Sequence, residues 1–183
     1  MLITRFLEKY EYVRTQKLFR ECFGNDEEYI SELYGELDGE NECTGTIRSH
    51  VIAVIENMSG EILSMVHYKP MTALYGTEPV KVGYIMDVAT KKDFRHRGMM
   101  DELMAAVEER LKAEGDPWCF LVPVDKEIYR HLGYIHDWSF NKGEGDLLDA
   151  DEGLTDCSAK LLNAGEFKKP DGLFDIGQSQ GKC

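Results

Sequence analysis

Tyr84-Ile85-Met86-Asp87-Val88-Ala89-Thr90-Lys91-Lys92-Asp93-Phe94-Arg95-His96-Arg97-Gly98-Met99-Met100 decides how the rest of this chain is read. Its first half is apolar and strand-like, and its second half is a basic turn, Arg95-His96-Arg97-Gly98. Beyond the turn, Met100, Leu103, Met104, Val107 and Leu111 recur at helical spacing, which predicts a helix over Gly98–Glu114 closed by Gly115. Asp101 and Glu102 in its first turn, and Arg110 and Lys112 in its last, suit the helix dipole. A strand that runs through a positive turn into a helix is built to hold phosphate. The first N–H groups of a helix have no partner inside it, and the dipole is positive at that end.

Upstream, Leu2–Leu7 reads as a short strand, and Tyr10–Phe23 as a helix with Val13, Leu18, Phe19 and Cys22 on one face and Gly24 as its cap. Asp26–Leu37 reads as a second helix that presents Tyr29, Ile30, Leu33, Tyr34 and Leu37 together. His50–Glu56 and Glu61–Met71 form a hairpin around Asn57-Met58-Ser59-Gly60, and Pro79–Thr90 is the next strand. Downstream come an interior strand at Trp118–Pro123, a short helix Asp125–Leu132 capped by Asp125, and a strand at Gly133–Trp138. This order predicts an α/β layer structure, an antiparallel sheet that acquires a βαβ crossover late.

Past Trp138 the composition changes, and Asn141–Asp156 is acidic and glycine-bearing. As a calcium loop it fails: counted from Asp149, the glycine falls at the fifth place and Lys160 stands where a bidentate Glu belongs. The expected organisation is a domain over 1–140 and an acidic linker with a short C-terminal segment over 141–183. A last helix is expected at Leu154–Phe167.

The chain has 183 residues, is 43% hydrophobic and 30% charged, and carries a formal charge of −13. That charge argues against nucleic acid and suits a cationic small molecule such as an amine. No apolar run has the length of a membrane span, and Met1–Phe6 has no leader-like apolar region, so a cytoplasmic protein with no membrane partner is expected. Five scattered cysteines without a C-x-x-C pair suggest neither a disulfide framework nor a metal site. A P-loop and a G-x-G-x-x-G turn after a strand are both missing from the sequence.

Arg95-His96-Arg97-Gly98-Met99-Met100 resembles the acyl-CoA signature of the GNAT superfamily of N-acetyltransferases, Gln/Arg-x-x-Gly-x-Gly/Ala at a strand-to-helix turn, with Met100 in place of the last small residue. Gly60–Met65, Val82–Ile85, Val88–Thr90, Leu18–Gly24 and Tyr129-x-x-x-Gly133-Tyr134 resemble the branch typified by the first domain of the enhanced-intracellular-survival acetyltransferases. The likeness runs from Ile3 to Trp138. It implies the GNAT fold: a mixed, mostly antiparallel central sheet splayed at the acyl-CoA site and flanked by about four helices.

The resemblance also implies roles. Acetyl-CoA is the co-substrate, its pyrophosphate held by N–H groups from His96 through Gly98 and Met99 to Met100, with the charges of Arg95 and Arg97 added. The pantetheine arm lies along Met86–Thr90, contacting Val88, Ala89 and Thr90. Tyr129 stands where similar enzymes keep the tyrosine that protonates the departing thiolate. Asp87, beside the expected thioester position, is the best-placed carboxylate to take the amine's proton, ahead of His67 and Glu61 on the neighbouring strand. The implied activity is acetylation of a primary amine (a polyamine, an aminoglycoside-like compound or a lysine side chain). Non-catalytic acyl-CoA binding is the alternative, and a homodimer stays open.

Overall fold

Unbroken β-branched and apolar runs make the strands. In the computed structural model, residues 1–38, 50–75, 78–143, 154–162 and 174–177 are described. They fall into two units, the first from Met1–Lys69 and Met86–Val107, the second from Pro70–Ile85 and Glu108–Cys183. Three long elements run through both: β3 (Ile62–Tyr75), β4 (Glu78–Thr90) and α3 (Met99–Glu114).

In the first unit, β1 (Leu2–Phe6) pairs antiparallel with β2 (His50–Glu56), and β2 with β3, from His50↔Tyr68 to Ile55↔Ile62. Two helices, α1 (Thr15–Phe23) and α2 (Glu27–Asp38), supply Leu18, Phe19, Ile30, Leu33 and Tyr34 to a core completed by Val51, Ala53, Met65 and Ala89. The expected helix over Tyr10–Phe23 is interrupted: Lys9–Arg14 is a 3-10 turn, and Val13 is exposed rather than on the buried face. The cause is Glu11. It is buried and gripped by both terminal nitrogens of Arg5 at 2.6 Å and by Arg14 at 2.5 Å, while it accepts the N–H of Glu8 at 3.1 Å. The Arg5 bonds hold its carboxyl down at about 2. Asp26 caps α2 by accepting Tyr29 N–H at 3.0 Å. Tyr29 itself lies half out of the core, against expectation. Leu37's side chain lies outside the described residues.

In the second unit the strand order is β4-β5-β7-β6-β8, with β5 at Trp118–Leu121, β6 at Ile135–Gly143, β7 at Leu154–Leu161 and β8 at Phe174–Gly177. The pair β4–β5 is parallel, from Val82↔Trp118 to Ile85↔Leu121, and β7 pairs antiparallel with both β5 and β6. The helix expected over Leu154–Phe167 is thus a strand to Leu161, because Leu161 and Ala159 pack with Trp118, Phe120 and Val82 in a sheet core. The expected boundary near Phe140 falls inside β6, and 144–153 lies outside the described residues. Gly83 on β4 admits α3: a Cβ there would overlap Leu111 Cδ1 and stand 2.8 Å from Cδ2.

Among the described residues there are four α-helices and a mixed, mostly antiparallel set of strands, the architecture expected from the sequence. No helix among them is long and apolar enough to cross a membrane.

Candidate active site

Arg95, His96, Arg97 and Gly98 form an exposed turn at the start of α3. Backbone hydrogen bonding runs through Phe94 N to Lys91 O (2.9 Å) and Arg95 N to Lys92 O (3.4 Å), then resumes at Glu102 N to Gly98 O (3.1 Å). Between these, His96 and Gly98 take left-handed φ values of 59° and 76°. Alternating handedness turns successive N–H groups toward one side, which makes a concave anion seat. A Cβ on Gly98 would meet no heavy atom within 4 Å, so the space before it is open. Arg95 Nε donates to Thr90 O at 3.1 Å, and Arg97 lies 5.0 Å over the Phe94 ring while donating to Asp93 O at 2.9 Å. Neither arginine has a carboxylate partner among the described residues. Nearby Lys91, by contrast, is paired with Glu61 and Glu21. Two unspent cations beside oriented N–H groups fit a pyrophosphate.

The strand that leads to this turn is broken in its pleat. Asp87 has φ 50°, left-handed, in the middle of β4. Met86 and Ala89 both pack on the core under α1 and α2, although a period of two would put residues three apart on opposite faces. The extra residue is Asp87, held there at a cost of about 1–2 kcal/mol for a non-glycine. Its Oδ2 is buried 3.3 Å from Nδ1 of fully buried His67, without hydrogen-bond alignment, and its Oδ1 accepts from Tyr29 OH at 3.3 Å. Tyr34 sets its ring edge-on to His67, at 6.2 Å between centroids, and its hydroxyl meets Thr15 Oγ1 at 2.6 Å. Burial pushes the Tyr34 phenol up to about 12, so it is neutral. Beyond Asp87, Val88 is half-buried and Ala89 buried; Ser64 donates to Ala89 O at 3.0 Å and meets Thr90 Oγ1 at 2.7 Å.

Tyr129 belongs to the second unit, on α4 (Glu127–Arg130). The helix begins at Glu127, two residues later than expected, with Lys126 rather than Asp125 at its N-cap; Asp125 accepts Glu127 N–H at 3.0 Å from just outside it. Gly133, at φ 87°, ends it in a left-handed turn with Tyr134 N donating back to Tyr129 O at 3.4 Å. That return explains the Tyr-x-x-x-Gly-Tyr spacing: it packs the two rings edge-on, 6.0 Å apart. Burial raises the Tyr129 phenol above its usual value, which keeps its proton on. Tyr134 is pinned from behind. Its hydroxyl meets Cys119 Sγ at 3.2 Å and Glu108 Oε1 at 3.3 Å, and Lys160 Nζ bonds Glu108 Oε2 at 2.7 Å and Leu132 O at 2.6 Å.

A family model described as "Acetyltransferase (GNAT) domain" matches residues 4–136. The chain belongs to the GNAT acetyltransferase family. Acetyl-CoA is the co-substrate of that family. Its fold is similar to an Escherichia coli GNAT family N-acetyltransferase in complex with CoA (14% identity, TM-score 0.70, covering 96% of this chain and 89% of that one). It is also similar to a Brucella melitensis GNAT acetyltransferase in complex with acetyl-CoA (15%, 0.56, 74% and 83%). A third likeness is to a GCN5-related N-acetyltransferase from Kribbella flavida (20%, 0.59, 76% and 34%), of whose length this GNAT chain spans about a third. No curated protein matches the sequence.

Within the first unit, then, lie the expected residues Asp87–Thr90 and Arg95–Met100 together with His67 and Glu61, and within the second lies Tyr129. Nothing in the sequence marks Ser64, Glu108 and Lys160 as pinned polar groups. Ser64 and Lys160 sit on strands, where alternation alone does not tell a pinned polar group from a solvated one. Tyr29 was counted as core.

Proposed function

We propose that this chain acetylates a primary amine with acetyl-CoA, the amine attacking directly while both substrates are bound. The observation that carries this is the exposed Arg95–Gly98 turn, with two left-handed residues, an open approach at Gly98 and two arginines without acidic partners among the described residues. In this reading N–H groups from His96 to Met100 and the charges of Arg95 and Arg97 bind the pyrophosphate. The main chain of Val88, Ala89 and Thr90 receives the pantetheine arm as an added strand; that the β4–β5 ladder runs only from Val82 to Ile85 supports it. Acetyl-CoA supplies an acetyl group already activated as a thioester. Asp87 takes a proton from the ammonium, and Tyr129, kept protonated by burial, gives one to the thiolate.

The formal charge of −13 supports a cationic acceptor (polyamine, aminoglycoside-like compound or lysine side chain) rather than nucleic acid, in a cytoplasmic setting. The Tyr129-x-x-x-Gly133-Tyr134 turn supports, by its resemblance alone, a reading as the first domain of the enhanced-intracellular-survival branch.

The test is a calorimetric titration with acetyl-CoA, desulfo-CoA and adenosine 3′,5′-bisphosphate, followed by a screen of amines for CoA release. Micromolar binding of the first two, sharply weaker for the bisphosphate, is expected. Acetyl-CoA binding without acetylation of any amine would leave a non-catalytic acyl-CoA module, and no binding would end the reading.

A further inference from the structure

We propose that His67 is the positioning residue for Asp87, holding the carboxylate by Oδ2 so that Oδ1 receives the proton of the acceptor ammonium. The inference rests on the acetyl-transfer reading above. Three observations converge on the pair. Both ring nitrogens of His67 and Oδ2 of Asp87 are buried without a hydrogen-bond partner among the described residues. The two residues nevertheless stand 3.3 Å apart, and Asp87 is kept in a left-handed conformation that a side chain ordinarily avoids. Buried polar groups left unpaired cost about 1–3 kcal/mol each, so an arrangement that combines three of them with backbone strain has a use other than stability.

The two oxygens of Asp87 face different surroundings. Oδ2 looks at His67, whose other neighbours are Tyr34 on α2 and Val51, its partner across β2. Oδ1 meets the hydroxyl of Tyr29, which is 40% exposed, so this is the side an incoming amine reaches. No lysine or arginine is paired with Asp87 among the described residues; its only ionic contact there is His67. A small rotation of either side chain aligns His67 Nδ1–H on Oδ2, as catalytic hydrogen bonds tighten when substrate binds. The carboxylate is then fixed, and Oδ1 exchanges the Tyr29 hydroxyl for the ammonium. Oδ1 first takes one proton from the ammonium and passes it to solvent, which frees the nitrogen lone pair; the C–N bond then forms, the C–S bond breaks, and the nitrogen sheds a second proton. The second replaces the proton that Tyr129 gives to the thiolate.

Three readouts test this in the full chain. The first needs no substrate: in ¹H–¹⁵N spectra, a slowly exchanging imidazole N–H that disappears in His67→Leu is expected, and it should also be lost in Asp87→Leu. The second is stability. His67→Leu removes unpaired buried nitrogens and should leave the urea midpoint unchanged or raised, whereas a structural histidine would lose stability. The third is turnover with whichever of n-butylamine, spermidine and Nα-acetyllysine amide the unaltered chain acetylates fastest. His67→Leu should lower kcat at least tenfold with acetyl-CoA affinity and amine KM within twofold, and His67→Asn, which restores a donor at the Nδ1 position, should recover most of it. Full turnover in His67→Leu, or a loss matched by unfolding, overturns the proposal. Failure of acetyl-CoA to bind overturns the earlier reading instead. Acetyl-CoA binding with none of these amines acetylated overturns this one.

Discussion

Two buried polar clusters among the described residues are finished differently. In the second unit Glu108, Tyr134, Cys119 and Lys160 satisfy one another completely: the carboxylate is shared between an ammonium and a phenol, and the ammonium also takes a carbonyl. Burial drives the Cys119 thiol up to about 12 and the Tyr134 phenol well above its usual range, so neither exchanges protons near neutrality. In the first unit His67 and Asp87 touch without bonding, on a strand bent out of its pleat. A closed network rigidifies, whereas an open one retains capacity for a ligand or a proton. The same contrast separates Lys91, paired with two carboxylates, from Arg95 and Arg97, four and six residues later, which have no carboxylate partner among the described residues.

If that contrast is sound, its sharpest break comes from Lys160→Met. The change strands the Glu108 carboxylate in the interior and should cost about 3 kcal/mol of stability by urea unfolding. A loss below 1 kcal/mol would mean that the closed cluster is not what holds the second unit. On the open side, Gly98→Glu should leave the unfolding midpoint within a few degrees yet weaken acetyl-CoA at least a hundredfold in calorimetry. The reason is that a carboxylate would stand where phosphate must approach a left-handed backbone. Tyr129→Phe comes next, with turnover down at least tenfold and acetyl-CoA affinity unchanged; equal losses in both would remove its assignment as the acid.

The smallest effect concerns a further closed cluster, Glu11 with Arg5 and Arg14 in the first unit. Glu11 has a folded value of about 2 against an ordinary 4.5, so its contribution is complete above about 4.5 and is lost as pH falls toward 2. Glu11→Gln should therefore lower stability at neutral pH and flatten the acid limb of the stability curve across that window. An unchanged limb would show that the Arg5 and Arg14 pairs add nothing.

The cradle and its helix were legible because everything they need is local: an apolar run, two arginines, a glycine and a helical stripe lie within thirty residues. Tyr129 was legible for the same reason, its spacing to Gly133 and Tyr134 being a single turn. What the sequence hid depends on distant partners. Leu154–Leu161 has helix-compatible spacing and becomes a strand only because Trp118–Leu121 offers it an edge. Val13 looks like a core residue until Glu11 is pinned by Arg5 and Arg14 and the first turn tightens to 3-10. The left-handed state of Asp87 leaves no trace at all, since nothing in Met86-Asp87-Val88 asks for a bulge. His67 reads in sequence as a weaker candidate base, and its contact with Asp87, 20 residues on, shows only in the fold.

The seating of β7 between β5 and β6 also governs the order in which the polypeptide can assemble as it leaves the ribosome. Trp118–Leu121 and Ile135–Gly143 emerge consecutively, yet neither can pair with the other; both must wait for Leu154–Leu161. Until then each offers an unpaired strand edge, the feature that invites association between nascent chains. Translation that stops near Phe140 would therefore release a fragment with its Arg95–Gly98 turn intact and its second sheet unsealed, prone to precipitate with its neighbours.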